Sequence, residues 1–90
     1  MITVYEKAVD KWGKNHQLLV TAEEMGEAIA KISQFVNRGR EVEKDLICEL
    51  ADVQIMLNQC KVIYGSELDK CIELKLKKLE GYINGWYRFR

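Results

Sequence analysis

Four carboxylates at two matched spacings are the residues of this chain best suited to chemistry. Glu24 and Glu27 stand three apart in Thr21-Ala-Glu-Glu-Met-Gly-Glu27, and Glu49 and Asp52 stand three apart in Cys48-Glu-Leu-Ala-Asp-Val-Gln54. On a helix that spacing sets each pair side by side on one face, where like charges repel. Such pairs need either water or a shared cation. The row that carries Glu49 and Asp52 also carries Met56 and Ile63 at helical steps, so it reads as partly buried, and buried carboxylates without basic partners are commonly satisfied by a metal. An all-oxygen ligand set selects a hard cation, Mg²⁺ or Mn²⁺, over zinc or copper. A di-iron bundle would require Glu-x-x-His pairs, and the single histidine, His16, lies outside both motifs.

Two helices must bring these acids together. Asn37-Arg-Gly-Arg40 is a helix-stopping sequence in which Gly39 can adopt a positive φ. Arg38 suits the negative end of the preceding helix dipole, and Glu41, Glu43 and Asp45 suit the positive end of the next. The expected result is an antiparallel hairpin. Counting outward from the bend, Glu24 returns to the level of Asp52 and Glu27 to the level of Glu49. Apolar stripes accompany both segments: Leu18, Ala22, Met25, Ile29, Ile32 and Val36 on the first, and Leu46, Leu50, Val53, Leu57, Cys60 and Tyr64 on the second. These stripes are expected to be the inner faces. On the second helix Asp45, Glu49, Asp52, Met56, Gln59 and Ile63 form the separate row that mixes acids with apolar groups.

With its two motifs in this order, Glu24-x-x-Glu27, a gap of 21 residues, then Glu49-x-x-Asp52, the chain resembles the MazG-like all-α nucleoside triphosphate pyrophosphohydrolases, in the short single-module form found in phages and some bacteria. Lys11-Trp-Gly13, Gln17, Glu49-Leu-Ala-Asp-Val53 and the Lys-Leu-Lys-Lys-Leu run ending at Leu79 extend the similarity over nearly all of residues 1–90. The resemblance implies hydrolysis of a (d)NTP to the monophosphate and pyrophosphate, in the service of nucleotide-pool house-cleaning. It places Trp12, His16 and Gln17 near the nucleobase, where an aromatic face and an amide are suitable chemistry. Gln59, two turns beyond Asp52 on the same face, is a further polar contact. Lys31, one turn after Glu27, and Lys75 and Lys78, flanking the stripe of the last helix, are candidates for triphosphate oxygens. Glu24, Glu27, Glu49 and Asp52 are both the expected metal ligands and the expected catalytic groups. Where related enzymes often carry a basic residue after the Lys-Leu run, this chain has Tyr82.

The remaining segments frame this hairpin. Thr3-x-x-Glu6 opens a first helix that ends at Gly13, with Tyr5, Ala8, Val9 and Trp12 on one face. Asn15 is expected to cap the second helix. Ser66, with Asp69 three residues on, is expected to cap a fourth whose core face is Leu68, Ile72, Leu76, Leu79 and Ile83. The aromatic tail Trp86-Tyr-Arg-Phe-Arg90 is expected to dock on the bundle or on a neighbouring subunit.

Composition sets the outer limits. With 48% hydrophobic residues, 31% charged and no proline, the chain suits a single all-α helical bundle and excludes a disordered one. Basic and acidic residues balance at 14 each, so no overall field favours nucleic acid or an anionic membrane. No stretch reaches the ~20 apolar residues of a membrane helix, and a cytoplasmic protein is expected. Cys48, Cys60 and Cys71 have no metal-type spacing and read as reduced structural thiols. Ninety residues bury a modest core, so a four-helix bundle completed by homo-oligomerisation, as a dimer or tetramer, is expected. The alternative from another class is a non-catalytic helical dimerisation or adaptor module, in which the acids form a solvated or partner-binding face.

Overall fold

A computed structural model describes residues 2–86, apart from the side chain of Arg40. The chain is all-helical: α1 (Val4–Trp12), α2 (Lys14–Arg38), a single 3-10 turn (Arg40–Val42), α3 (Glu43–Tyr64) and α4 (Ser66–Ile83), with no strand among the described residues.

Helix α1 starts where its capping box dictates. The Thr3 hydroxyl accepts from the Glu6 amide at 3.2 Å, and the Glu6 carboxylate accepts from the Thr3 amide, also at 3.2 Å. Two of the amides left without helical partners at this end are thereby satisfied. Replacing Thr3 by alanine is expected to destabilise by about 1 kcal/mol. Because α1 buries no residue fully, faster amide exchange confined to its first turns is the measurement that checks this.

The hairpin forms as the bend sequence requires. Gly39 has φ 82° and ψ −150°, and its amide donates to Phe35 O. That positive φ is strained for any residue with a Cβ, and it turns the chain out of α2 into the 3-10 turn. Arg38 occupies the last turn of α2, and Glu43 and Asp45 the first turn of α3. Helix α2 packs along α3, and α1 contacts both.

Two expected caps are corrected. Helix α2 begins at Lys14, with Gly13 rather than Asn15 at its cap position and no side-chain cap bond. Its start is held instead by the Lys14 ammonium, 5.1 Å from the centre of the Tyr64 ring at the far end of α3. Ser66 is the first helical residue of α4 and Gly65 takes the cap position, again without a side-chain bond.

The larger correction concerns which faces meet. The expected inner stripe of α2 is on the outside: Met25, Ile29, Ile32 and Val36 are all exposed, Ile29 to 66% and Val36 to 75%. What faces α3 is the acid-bearing row, Gln17, Thr21, Glu24, Ala28, Lys31 and Phe35, every member buried or half-buried. On α3 the mixed row behaves as expected and is partly buried, with Met56 and Gln59 its most enclosed members, while Leu50 and Leu57 of the apolar stripe are exposed. Small Ala28 and Thr21 permit close helix approach, and Gln17 and Lys31 find partners across the interface in Gln59 and Asp45, whereas one oxygen of Glu24 finds none. Beyond half-buried Leu18, the purely apolar stripe is left uncovered by the described residues.

Helix α4 departs in the same way. Among the described elements it packs against α3 alone, and of its expected core face Ile72, Leu76, Leu79 and Ile83 are exposed and Leu68 is half-buried. Trp86 is exposed; the rest of the aromatic tail, residues 87–90, lies outside the described residues. The three thiols are free, but Cys48 and Cys71 are exposed rather than buried. No helix is long and apolar enough to cross a membrane among the described residues.

Candidate functional site

The hairpin brings the acids together. Glu24 from α2 and Glu49 and Asp52 from α3 can each place one oxygen within 4.8 Å of the others. Glu24 and Glu49 are half-buried and Asp52 is exposed. One oxygen of Glu24 and one of Glu49, Oε2 in each, is buried and has no hydrogen-bond partner. A buried carboxylate oxygen left bare is costly, and two of them facing one cluster are more so. Glu27 is exposed and stands outside the closest triad.

Electrostatics report the same proximity. The Glu24 carboxyl is held above its usual pKa of 4.5, first by burial, then by the charges of Glu27, Asp52 and Glu49. Glu49 is also raised, first by burial, then by the charge of Glu27 and a side-chain hydrogen bond to it, then by Asp52, with Lys31 opposing. Glu27 is therefore the strongest neighbouring charge on both, as the counted register places it.

These shifts have a signed consequence for the metal-free protein. A carboxyl whose folded pKa is raised binds its proton more tightly folded than unfolded, so the folded state gains stability as pH falls. That gain is complete below the ordinary value of 4.5 and is lost as pH rises through the elevated folded values. The melting temperature without metal is expected to rise as pH is lowered from 7 toward 4.5 in EDTA. A saturating divalent cation should flatten or reverse this slope, because protons and cation compete for the same oxygens.

Lys31 is the basic group whose charge is felt at Glu49. Its ammonium lies 3.7 Å from Asp45 Oδ2 on α3 and 3.5 Å from Gln34 Oε1. It is half-buried, and its charge reaches Glu49. It therefore borders the acids without filling the gap between the bare oxygens. Lys75 and Lys78 are exposed on α4 and are not among the charges that shift Glu24 or Glu49.

At the open end of the hairpin a polar network continues the same row. The Gln17 amide nitrogen donates to Gln59 Oε1 at 2.7 Å between two buried side chains. His16 Nδ1 is 2.6 Å from Gln17 Oε1. The Thr21 hydroxyl donates to Gln17 O at 2.7 Å and touches the Cys60 thiol at 3.7 Å. Gln59 Nε2 donates to the Met56 thioether at 3.4 Å. Trp12 and His16, both exposed, lie with ring centres 6.4 Å apart and planes inclined by 25°, and Lys11 sits 5.2 Å over the Trp12 ring. Of the residues expected near a base, Trp12 and His16 are thus on the surface, while Gln17 and Gln59 are enclosed behind them.

Comparison with protein-family models, with curated proteins and with solved structures returns no match for this chain. The site accordingly stands on its own geometry. Thr21 and Met56 are the participants that the motifs alone do not reveal as polar partners. Extending the acid row of α2 upstream in steps of three and four, from Glu24 to Thr21 and Gln17, is the signal that finds the first of them.

Proposed function

We propose that this chain is a divalent-cation-dependent nucleoside triphosphate pyrophosphohydrolase of the MazG-like all-α kind, acting in nucleotide-pool house-cleaning. The observation that carries the reading is the pair of buried, unpartnered oxygens on Glu24 and Glu49, gathered with Asp52 inside 4.8 Å. In the adaptor reading, a solvated acidic face would keep those oxygens in water, and only a partner-binding face would leave them bare.

The donor set fits Mg²⁺ or Mn²⁺, held by Glu24, Glu27, Glu49 and Asp52. When bound, the cation would neutralise charge on the triphosphate oxygens and make a nearby water more acidic. The carboxylates orient that water, and whichever of the four is least engaged accepts its proton. Water attacks the α-phosphorus, the bond from that phosphorus to the α–β bridging oxygen breaks, and pyrophosphate departs with the electron pair. Lys31 borders the phosphate-bearing end. Trp12 offers a face on which a base can stack, with His16, Gln17 and Gln59 behind it.

The same reading includes a homo-oligomer, dimer or tetramer, in the cytoplasm. Among the described residues no large side chain is fully enclosed, and the buried apolar residues are Ala28 and Met56. The exposed stripes of α2 and α4 would supply the missing core by pairing with other copies, completing a four-helix bundle. Lys75 and Lys78 would then serve the site of a neighbouring subunit.

Pyrophosphate release from a panel of ribo- and deoxyribonucleoside triphosphates, with Mg²⁺ and with EDTA, tests the reading. Release that depends on the cation is the expected result. No release from any of them, with no effect of Mg²⁺ on melting, would leave the adaptor module as the better account.

A further inference from the structure

The hydrogen bonds behind Trp12 run in one direction only. An amide oxygen accepts and an amide nitrogen donates. Since Gln17 Nε2 donates to Gln59 Oε1, the oxygen of Gln17 is the atom that meets His16 Nδ1, and it can only receive a proton from that ring nitrogen. At the inner end Gln59 Nε2 meets Met56 Sδ, which is an acceptor with no proton to give. Reversing either amide alone sets oxygen against oxygen or nitrogen against nitrogen. Reversing both sets the Gln59 oxygen against the sulfur, two acceptors in a buried place. One polarity therefore satisfies every member, and it requires the proton of a neutral His16 to sit on Nδ1. Nε2 is left with its lone pair on an exposed ring.

The relay is also placed at a telling distance from the acids. Gln17 precedes Glu24 by two turns of α2, and Gln59 follows Asp52 by two turns of α3, each about 10 Å along the axis. That span matches the reach of a nucleotide from its phosphates to the far edge of its base. We propose that Met56, Gln59 and Gln17 act as positioning residues that hold His16 as a hydrogen-bond acceptor, so that the chain favours bases bearing an exocyclic amino group over their carbonyl counterparts. The preference rests on the nucleotide-hydrolysing function proposed above; the state of the imidazole does not.

Two measurements test this separately. The chain has one histidine, so the imidazole ¹⁵N spectrum reports His16 without assignment. Above the ring's titration, the expected spectrum shows Nδ1 protonated and Nε2 bare, since the partner of one nitrogen decides the state of the other. Gln59→Leu removes the group that orients Gln17, and the proton is expected to move toward Nε2. Met56→Leu conserves volume closely, keeps the test open should Gln59→Leu fail to fold, and is expected to shift the proton the same way. A wild-type ring protonated on Nε2, or a ring unchanged in every variant that folds, overturns the relay. In turnover, kcat/KM for a cytidine triphosphate is expected to exceed that for the uridine counterpart by about tenfold, the scale of one hydrogen bond, and to approach parity in Met56→Leu. Equal use by the wild-type protein, or preference for the uridine nucleotide, overturns the specificity. Turnover of no nucleotide overturns it together with the function, while the ¹⁵N spectrum still decides the relay.

Discussion

Glu49→Gln is expected to raise the melting temperature of the metal-free protein while abolishing both its stabilisation by Mg²⁺ and its turnover. The two effects have opposite signs and one cause. In the wild-type chain Glu49 is raised by burial and by the charges of Glu27 and Asp52, and its Oε2 is buried and bare. The amide has nearly the same shape, removes one of the repelling charges and supplies a donor to the acids around it. With metal the balance inverts. A cation that binds only the folded protein at a hundred times its Kd contributes about 2.7 kcal/mol, on the order of 10 °C or more for a chain of this size. Loss of a ligand from the cluster should remove that shift and reduce pyrophosphate release by at least a hundredfold. Thermal melts of both proteins in EDTA and in Mg²⁺ are the measurement. A variant that melts lower without metal, yet retains the Mg²⁺ shift, would show that Glu49 has a structural role only.

Ile29→Glu is the second substitution with a large expected effect, although the single chain gives it no cause. Ile29 is 66% exposed on α2, and exposed substitutions usually change stability by less than about 0.5 kcal/mol. If two copies pair through the α2 stripe, the same carboxylate enters an apolar interface. In a two-fold dimer it does so once from each subunit. A desolvated, unpaired charge costs several kcal/mol, more than the stability a core this thin can lose. Sedimentation is expected to show a dimer or larger assembly for the wild-type chain and dissociation in Ile29→Glu, with melting at much lower temperature. A monomeric wild-type protein, with the variant melting alongside it, would refute assembly through this face.

Much of the architecture is legible without coordinates because it depends on local chemistry. The reciprocal bonds of Thr3 and Glu6 start α1, Gly39 turns α2 into α3, and the steps between Glu24, Glu27, Glu49 and Asp52 bring the acids level across that turn. Each is decided within a few residues, or by counting along two helices from a shared bend. Caps are less legible: Asn15 and Ser66 have suitable side chains, yet Gly13 and Gly65 occupy the cap positions, because a positive φ at the junction sets where the next helix can begin.

Periodicity identifies the rows on a helix but not the row that meets the partner. For α2 both Leu18–Ala22–Met25–Ile29 and Gln17–Thr21–Glu24–Ala28 repeat at helical steps, and apolarity alone favours the first. The folded hairpin joins the second. Its helices meet through small residues and a Gln17–Gln59 bond that neither helix can make alone, and the apolar stripe is left on the surface. From its sequence by itself, this protein determined its helices, their bends and the register of four carboxylates, since these follow from spacing. Only the tertiary structure decided that the acid-bearing row of α2, in place of its apolar stripe, faces α3, that one oxygen each of Glu24 and Glu49 lacks a partner and that the amides behind His16 share one polarity, because each depends on the atoms facing it from another helix.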